Sequence, residues 1–347
     1  MSASSTAASK HHTFTSPESF GLFMEALRGL QTYADESEQL APDAKRLDEN
    51  LDCALEALTR CHEDFPDDLL PRYYLGIALT MRNQHLYADA ILQAITRGER
   101  GQGTSPTAAV PQNILSVILE PRPWPLLDRA INLFEQVIED GYAVLGQAAK
   151  FNLAHVYAKR DAPGDLEKSL SVVDTITRPS GNAPALSGRF HRWSLSLRYF
   201  QKKYAAGQRA YRESVALGFQ ATTLATAVRA REAIETDDEA AYIASLQAIT
   251  TLRDEIEQAK SLNPEAKHDL LADSCTKTGF VILLHSIRHS GEESDLKTAE
   301  SSISRALNYK PFWIPAQTYL ALVHVAQARL DDAKKELESV LGSVASQ

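Results

Sequence analysis

The C-terminal part of the sequence repeats a short pattern after 34 residues. Ala299 is followed four residues later by Ile303, and Ala333 is followed four residues later by Leu337. Residues four apart lie on the same face of a helix, one above the other. The small residue lets a neighbouring helix approach closely, and the large residue fills the groove beside the contact. The repeated pair therefore predicts helices that stack on one another.

Related fragments recur upstream, separated by short turn signals. They comprise Leu75-Gly76 with Leu79, followed by Ala88 and Leu92; Val117-Ile118, followed by Ala130 and Phe134; Leu153-Ala154 with Tyr157, followed by Ser169 and Val173; and a weaker set of Tyr204, Gly207 and Tyr211. Among the breaks that we place between helices are Asn83-Gln84 and Leu217-Gly218. Since no segment sustains an apolar–polar alternation with a period of two, we expect an all-α fold.

The 34-residue step and the small-then-large pairs resemble the tetratricopeptide repeat (TPR) over about residues 40–345. The resemblance implies a right-handed superhelical array of antiparallel helix pairs, a TPR-like solenoid of about 13–15 helices. In such an array each helix pair leaves an apolar face that the next pair covers. We expect a single repeat domain over residues 16–345. A disordered tail rich in Ser, Ala and Thr precedes it at residues 1–15.

Two segments depart from the regular pattern. Residues 98–125 contain closely spaced Gly and Pro, and they predict an irregular insertion with a short helix at 112–120. This insertion is either a functional loop or a tolerated surface loop. Residues 238–261 predict a longer amphipathic helix, because apolar residues recur there every three or four positions. That helix can pack along the array or meet another helix, and packing within the chain is the simpler interpretation.

The resemblance also implies a concave groove, lined by the first helix of each pair, that binds a peptide, a helix or a partner domain. Placing the sequence on the repeat gives these partner-binding residues: Tyr73, Ile77, Thr80, Phe151, Asn152, His155, Thr318 and Leu322. Some TPR proteins hold a carboxylate at the position of Asn152, but the basic companions are replaced here by residues such as Phe151 and Tyr73. We expect an apolar and aromatic groove, which is either open to a partner or filled by the chain's own helices.

Sequence motifs for catalysis are missing. There is no Gly-rich phosphate loop, no nucleophile-elbow motif and no HExxH motif. His285 and His289 have a spacing that suits a metal on a helix, but Arg288 lies between them and no Glu follows His285. Cys53 and Cys61 fit buried apolar thiols better than a catalytic pair. We expect no enzymatic activity, no cofactor and no bound metal.

Composition narrows the partners further. The formal net charge of −9 argues against a general nucleic-acid binder, since phosphate binding needs a basic face. The unbroken apolar runs are too short to cross a bilayer. Three cysteines without a CxxC motif do not make a disulfide framework, which favours a reducing compartment. We expect a cytoplasmic protein whose partner is a protein or peptide, with neither nucleic acid nor membrane involved.

The sequence thus favours a non-enzymatic protein–protein interaction module, such as a scaffold, an adaptor or a regulatory subunit. The alternative is a ligand- or peptide-switched sensor that controls a separately encoded effector. Residues 17–62 are too acidic to act as a DNA-reading output domain, so any effector would be a partner protein.

Overall fold

The computed structural model describes residues 14–37, 44–100, 124–140, 143–160, 162–177, 204–289 and 293–342. These ranges hold twelve α-helices and no strand. The helices are α1 (Pro17–Ser37), α2 (Ala44–Asp64), α3 (Leu69–Arg100), α4 (Pro125–Glu139), α5 (Ala143–Arg160), α6 (Asp165–Thr177), α7 (Tyr204–Glu235), α8 (Glu239–Gln258), α9 (Pro264–Arg288), α10 (Glu293–Tyr309), α11 (Ile314–Ala326) and α12 (Leu330–Leu341). The expected all-helical character is confirmed for this part of the chain.

Local sequence accounts for several helix ends. The Asp238 carboxylate accepts a hydrogen bond from the backbone N–H of Ala241 at 3.0 Å and caps α8. Asn263 caps α9 in the same way, and Pro264 occupies its first turn, where a missing N–H costs nothing. At the other end of the chain, Gly342 ends α12 in the left-handed conformation that glycine adopts without strain.

Two of the expected helix breaks are wrong. The α3 helix runs through Asn83-Gln84, and α7 runs through Leu217-Gly218, without interruption. Neither site contains proline, and a single glycine inside a helix is tolerated at modest cost. Asn83 is buried rather than exposed at a turn. The chain therefore uses two long helices where the sequence pattern suggested two pairs of shorter ones.

Other expectations fall partly outside the described residues. Residues 1–13 of the expected tail, residues 101–123 of the expected insertion and the short helix at 112–120 lie there. Residues 98–100 belong to α3. Phe14 packs its ring against Phe20 and Phe23, and the backbone N–H of Thr15 donates to Asp68 at 3.0 Å. The chain is thus already packed against the helices at residue 14.

Neighbouring helices cross at small residues. A Cβ atom on Gly76 in α3 would lie 2.7 Å from the ring of Phe134 in α4. A Cβ atom on Gly279 in α9 would lie 2.9 Å from the carbonyl oxygen of Ala299 in α10 and would overlap Ile303. The large residues at these crossings are the ones four positions after Ala130 and Ala299. Each crossing therefore matches a small residue on one helix with a small-then-large pair on the next.

This arrangement corrects one assignment made from the sequence. We paired Gly76 with Ala88 and Leu92 as two helices of one repeat. Because α3 is continuous, Ala88 lies on the same helix as Gly76, and the partner of Gly76 is Phe134 in α4. The pairing of α5 with α6 follows the sequence pattern more closely, since the Ser169 hydroxyl donates to the carbonyl of Ala154 at 2.8 Å.

The described helices close on themselves. Contacts run in order from α3 through α4, α5, α6 and α7 to α9, then through α10 and α11 to α12. The last helix, α12, packs back against α3 and α2, and α11 also contacts α3. The largest apolar core accordingly joins α1–α5 to α9–α12. Smaller clusters of buried residues link α7 to α5 and α6 on one side and to α8 and α9 on the other.

The amphipathic helix predicted at 238–261 is α8, and it packs inside the chain. The expectation that it is longer than its neighbours is wrong, since it has 20 residues and α7 and α9 have 32 and 25. The α8 helix contacts α7 and α9. Its apolar stripe supplies Tyr242, Ile249, Leu252 and Ile256 to the clusters buried there. No helix among the described residues is both long enough and apolar enough to cross a membrane.

Candidate functional site

The ring of helices borders a cavity of about 980 Å³ that is partly open to solvent. Within the described part of the chain, its lining comes from α3, α5, α6, α7, α9 and α11. The segments that precede α4, α6 and α11 and the residue that follows α7 make short contributions. A volume of this size is at the upper end of the range for small-ligand sites.

Aromatic side chains form much of the cavity wall. The rings of Phe280 in α9 and Tyr319 in α11 stack with their centroids 4.2 Å apart and their planes 15° apart. Tyr87 in α3 meets Trp124 edge to face at 5.9 Å. Trp313, just before α11, is a further lining residue. Flat, rigid surfaces of this kind bury large contact areas at low entropic cost.

Three cationic side chains lie together inside the cavity. They are Lys159 from α5, Arg231 from α7 and Lys277 from α9. Asp273, one helical turn from Lys277 on α9, forms an ion pair with it. The other acidic lining residues, Glu167, Glu232 and Glu235, are exposed. Lys159 and Lys277 therefore lie with Asp273 on the inner part of the lining, and the other acidic residues lie at its exposed edge.

The cations differ in how they are satisfied. Arg231 donates from Nη1 to the carbonyl oxygen of Ala158 at 2.6 Å, and its guanidinium lies 5.8 Å from the ring centre of Phe280. Arg160, also on the lining, is held by Asp165 at 2.7 and 2.8 Å and by Asp128 at 2.7 Å. In contrast, the Nζ atom of Lys159 is buried and has no hydrogen-bond partner among the described residues.

Burial changes the protonation of this cluster. It lowers the pKa of the Lys159 ammonium to about 7, and the nearby charge of Lys277 acts in the same direction, whereas Asp273 opposes it. The pKa of His155, one turn before Lys159, is lowered well below its ordinary value by burial and by the charges of Lys159 and Lys277. Near neutral pH the imidazole is therefore uncharged, and Lys159 populates both of its protonation states.

Further polar atoms on the lining are buried without a hydrogen-bond partner among the described residues. They include Nδ1 of His155, the hydroxyl oxygen of Thr318 and the side-chain oxygen of Asn83. Most buried polar atoms in proteins are hydrogen-bonded, so several such atoms around one cavity form an unusual group. With Lys159 they place an ammonium, an imidazole nitrogen, a hydroxyl and an amide oxygen within the wall of the cavity.

Of the residues that we placed in the groove, His155 and Thr318 line the cavity. Tyr73 and Asn152 instead contact each other, since the Asn152 amide donates to the Tyr73 hydroxyl at 3.0 Å. Tyr73 also packs against Phe134, and burial raises its pKa to about 12. This pair connects α3 to α5.

The remaining predicted groove residues are not on the cavity lining. Ile77 packs partly buried against the main core, and the Thr80 hydroxyl donates to the carbonyl of Gly76 in its own helix. Phe151 stacks on the ring of His155 and packs against the α5–α7 cluster. Leu322 has no exposed surface and belongs to the main core.

The sequence contains a signal for Lys159. Phe151 and His155 are four residues apart, and Lys159 continues the same helical stripe by another four. In α9 the corresponding signal is Gly279. This glycine faces α10, whereas Lys277, two residues before it, and Phe280, directly after it, face the cavity. Without the structure, nothing indicated that α9 and α5 lie on opposite sides of one cavity.

The candidate metal and thiol residues have other partners. His285 stacks on Tyr242 at 4.0 Å and bonds to Glu239 at 2.9 Å, and His289 lies 3.6 Å from Asp237. The described residues contain no group of three or more His, Cys, Asp or Glu with the geometry of a metal site. All three cysteines are free thiols. Cys61 is buried as expected, whereas Cys53 is exposed, so the prediction of a buried thiol is wrong for Cys53.

No protein-family model matches this chain, and no curated protein matches it.

Proposed function

We propose that this chain is a non-enzymatic binding protein that holds a short peptide segment of a partner protein in its central cavity. The observation that carries the proposal is the cavity itself, about 980 Å³ in volume, with aromatic walls and buried polar atoms that lack partners. Sites of this shape bind by burying apolar groups and by orienting them through a few polar contacts.

The helix architecture supports a TPR-like interpretation. Small residues lie at the crossings of α3 with α4, α5 with α6 and α9 with α10. The 34-residue step from Ala299 to Ala333 joins the second helices of the last two pairs. We therefore propose a TPR-like solenoid whose concave side is the cavity. The contacts of α12 with α3 limit that concave side to a small volume.

The size of the cavity restricts what the partner can insert. A volume of about 980 Å³ accepts a few residues of a peptide or a small molecule, whereas a folded domain is far larger. A binding role also fits the chemistry of the lining. Its aromatic rings can pack on apolar groups, and its buried polar atoms lack partners among the described residues.

Affinity-selection mass spectrometry with a mixture of N-acetylated hexapeptides tests this proposal. Ala158→Trp would place a large ring in the cavity, and Ala240→Trp would place the same ring on the exposed face of α8 as a matched control. We expect the wild-type protein and the Ala240→Trp variant to retain the same peptides, and the Ala158→Trp variant to lose them. Retention of those peptides by a folded Ala158→Trp variant would place binding elsewhere.

A second candidate is a sensor in which a ligand changes the shape of the chain and so controls a separate effector. The contact of α12 with α3 favours this candidate. A ligand that contacts α3 and α11 would change how α12 packs against α3. Small-angle scattering would show a change in the radius of gyration on peptide binding for a sensor and no change for a rigid adaptor. A cytoplasmic location, and partners other than nucleic acid or membrane, stay predictions from composition.

A further inference from the structure

We propose that Lys159 is a covalent binding site for an aromatic aldehyde, which enters the cavity and forms a reversible imine with the lysine amine. The inference goes beyond the proposed function, because a small aldehyde requires no partner peptide. It concerns the same cavity but a different ligand, and each ligand has its own measurement.

The first argument is the position of the amine. Lys159 lines the cavity from α5, and its Nζ atom is buried and has no hydrogen-bond partner among the described residues. The other lysine of the described lining, Lys277, is paired with Asp273. The flexible carbon stem of a lysine lets its amine turn from the wall toward a molecule in the cavity. Lys159 is therefore the lysine of this lining whose amine is available for reaction.

The second argument is that the surroundings of Lys159 favour the neutral amine, which is the form that attacks a carbonyl. Burial lowers the pKa of Lys159 to about 7, the charge of Lys277 acts in the same direction, and Asp273 opposes both. An ordinary lysine has a pKa of about 10.4 and is almost wholly protonated at pH 7. Buried lysines, and lysines beside a second cation, are the ones that proteins use to form Schiff bases.

The third argument is that the reaction needs no reagent other than the aldehyde. The lone pair of Nζ attacks the carbonyl carbon, and a proton moves from nitrogen to oxygen to give a carbinolamine. The carbon–oxygen bond then breaks, and the oxygen leaves as water with the second proton of the amine. The product has a carbon–nitrogen double bond between Lys159 and the ligand, and nothing is oxidised or reduced. Water reverses the same steps and releases the aldehyde intact.

The fourth argument identifies the class of aldehyde. The rings of Phe280 and Tyr319, stacked 4.2 Å apart, and the indole of Trp313 line the same cavity as Lys159. An aryl group packs on such rings and removes apolar surface from water, whereas a small hydrophilic aldehyde leaves them without contact. A cavity of about 980 Å³ also has room for a ring between this wall and the lysine. An aromatic aldehyde therefore fits both parts of the cavity.

Reductive trapping with benzaldehyde tests the proposal on the wild-type protein. Sodium cyanoborohydride converts an imine irreversibly to a benzylamine, and peptide mapping by mass spectrometry locates each benzylated lysine. At pH 7 we expect Lys159 to be benzylated at least about tenfold faster than Lys260, an exposed lysine just after the end of α8, because the lower pKa leaves far more neutral amine. Labelling of Lys159 that is no faster than that of Lys260 overturns the proposal.

Matched variants then show whether the aldehyde reacts from the cavity. Ala158→Trp would fill the cavity beside Lys159, and Ala240→Trp would place the same ring on the exposed face of α8. We expect Ala158→Trp to lose most of the labelling of Lys159 while Lys260 is labelled as before, and Ala240→Trp to match the wild type. Circular dichroism checks that both variants fold. Labelling of Lys159 at the wild-type rate in folded Ala158→Trp overturns the assignment to the cavity.

A second aldehyde tests the class of ligand without any variant. The preference for Lys159 over Lys260 should be larger with benzaldehyde than with acetaldehyde, and an equal preference overturns the aromatic class. The affinity selection of hexapeptides contains neither aldehyde nor reductant, so the two proposals fail separately. Absent labelling of Lys159 with retained peptides refutes the imine alone, whereas labelled Lys159 without retained peptides refutes the proposed function alone.

Discussion

The helix crossings and the cavity wall are formed by adjacent residues of the same helices, but the two regions differ in how tightly they are packed. In α5, Ala154 faces α6 and accepts a hydrogen bond from Ser169, while the next residue, His155, lines the cavity with Nδ1 unpartnered among the described residues. In α9, Gly279 faces α10, while the next residue, Phe280, lines the cavity. The crossings are tightly packed, whereas the cavity has open volume and polar atoms without partners in the described part of the chain.

This difference separates what stabilises the chain from what acts on a ligand. A crossing tolerates almost no change of volume, because protein interiors are close-packed. A cavity residue contributes little packing, and a buried charge there reduces stability until a ligand compensates it. Substitutions at crossings and in the cavity should therefore change stability in opposite directions.

The largest effect is expected at a crossing. Phe134→Ala would remove a fully buried ring from the contact with Gly76 and leave a cavity. We expect the free energy of unfolding to fall by about 3–5 kcal/mol, measured by urea denaturation. Phe20→Ala, at a phenylalanine that is 49% exposed, is the control and should cost far less. Equal losses for the two variants would mean that the crossing is not tightly packed.

The cavity should show the opposite sign. Lys159→Met would replace a buried ammonium by an apolar group of similar length, and we expect the unliganded protein to gain about 1–4 kcal/mol. Lys260→Met, at an exposed lysine, should change stability by no more than about 0.5 kcal/mol. Thermal and urea denaturation measure both. A loss of stability in Lys159→Met would show that the lysine stabilises the unliganded fold.

A smaller effect separates two glycines. In Gly279→Ala the new methyl group would overlap Ile303 and approach the Ala299 carbonyl, so we expect a loss of about 1–3 kcal/mol. A Cβ atom on Gly146, in α5, would meet no described atom within 4 Å, and Gly146→Ala should gain up to about 1 kcal/mol from helix propensity. The same sign for the two substitutions would contradict the assigned crossing.

The smallest effect, taken over one pH unit, is a dependence of stability on pH. The pKa of Lys159 is about 7 in the folded chain and about 10.4 in an unfolded one. Between these values the unfolded state binds more protons, so this group makes stability rise with pH, by at most about 1.4 kcal/mol per pH unit. The cost of the buried ammonium is therefore full below about pH 7 and is lost by about pH 10. The contribution of Lys159 is the difference between the pH dependence of stability of the wild type and that of Lys159→Met. Parallel curves of stability against pH for the two proteins would contradict the lowered pKa.

The sequence predicted the helices and some of their contacts because both depend on local pattern. Ala299 with Ile303 and Ala333 with Leu337 are all fully buried, as the small-then-large spacing predicted. The same spacing misassigned Gly76, because pairing two helices requires knowing where one ends, and Asn83-Gln84 did not end α3. Local pattern therefore identifies a crossing face without identifying the helix that meets it.

The cavity was harder to predict because it depends on contacts between distant segments. Lys159 and Lys277 are far apart in the sequence, and only the packing of α5, α7 and α9 brings their charges close enough to interact. The return of α12 to α3 has no signature in the repeat. Leu322 shows the same limit of prediction from sequence. The repeat pattern placed it in the groove, whereas it lies in the core.

Photo-crosslinking tests the central claim, that the cavity is where the partner binds, most directly. A hexapeptide retained in the affinity selection would carry a benzoylphenylalanine at its apolar position, and mass spectrometry would locate the crosslinked residues. We expect crosslinks to the aromatic wall and its neighbours, such as Phe280, Trp313 and Tyr319. Crosslinks confined to exposed faces such as that of α8, with none on the lining, would contradict the account.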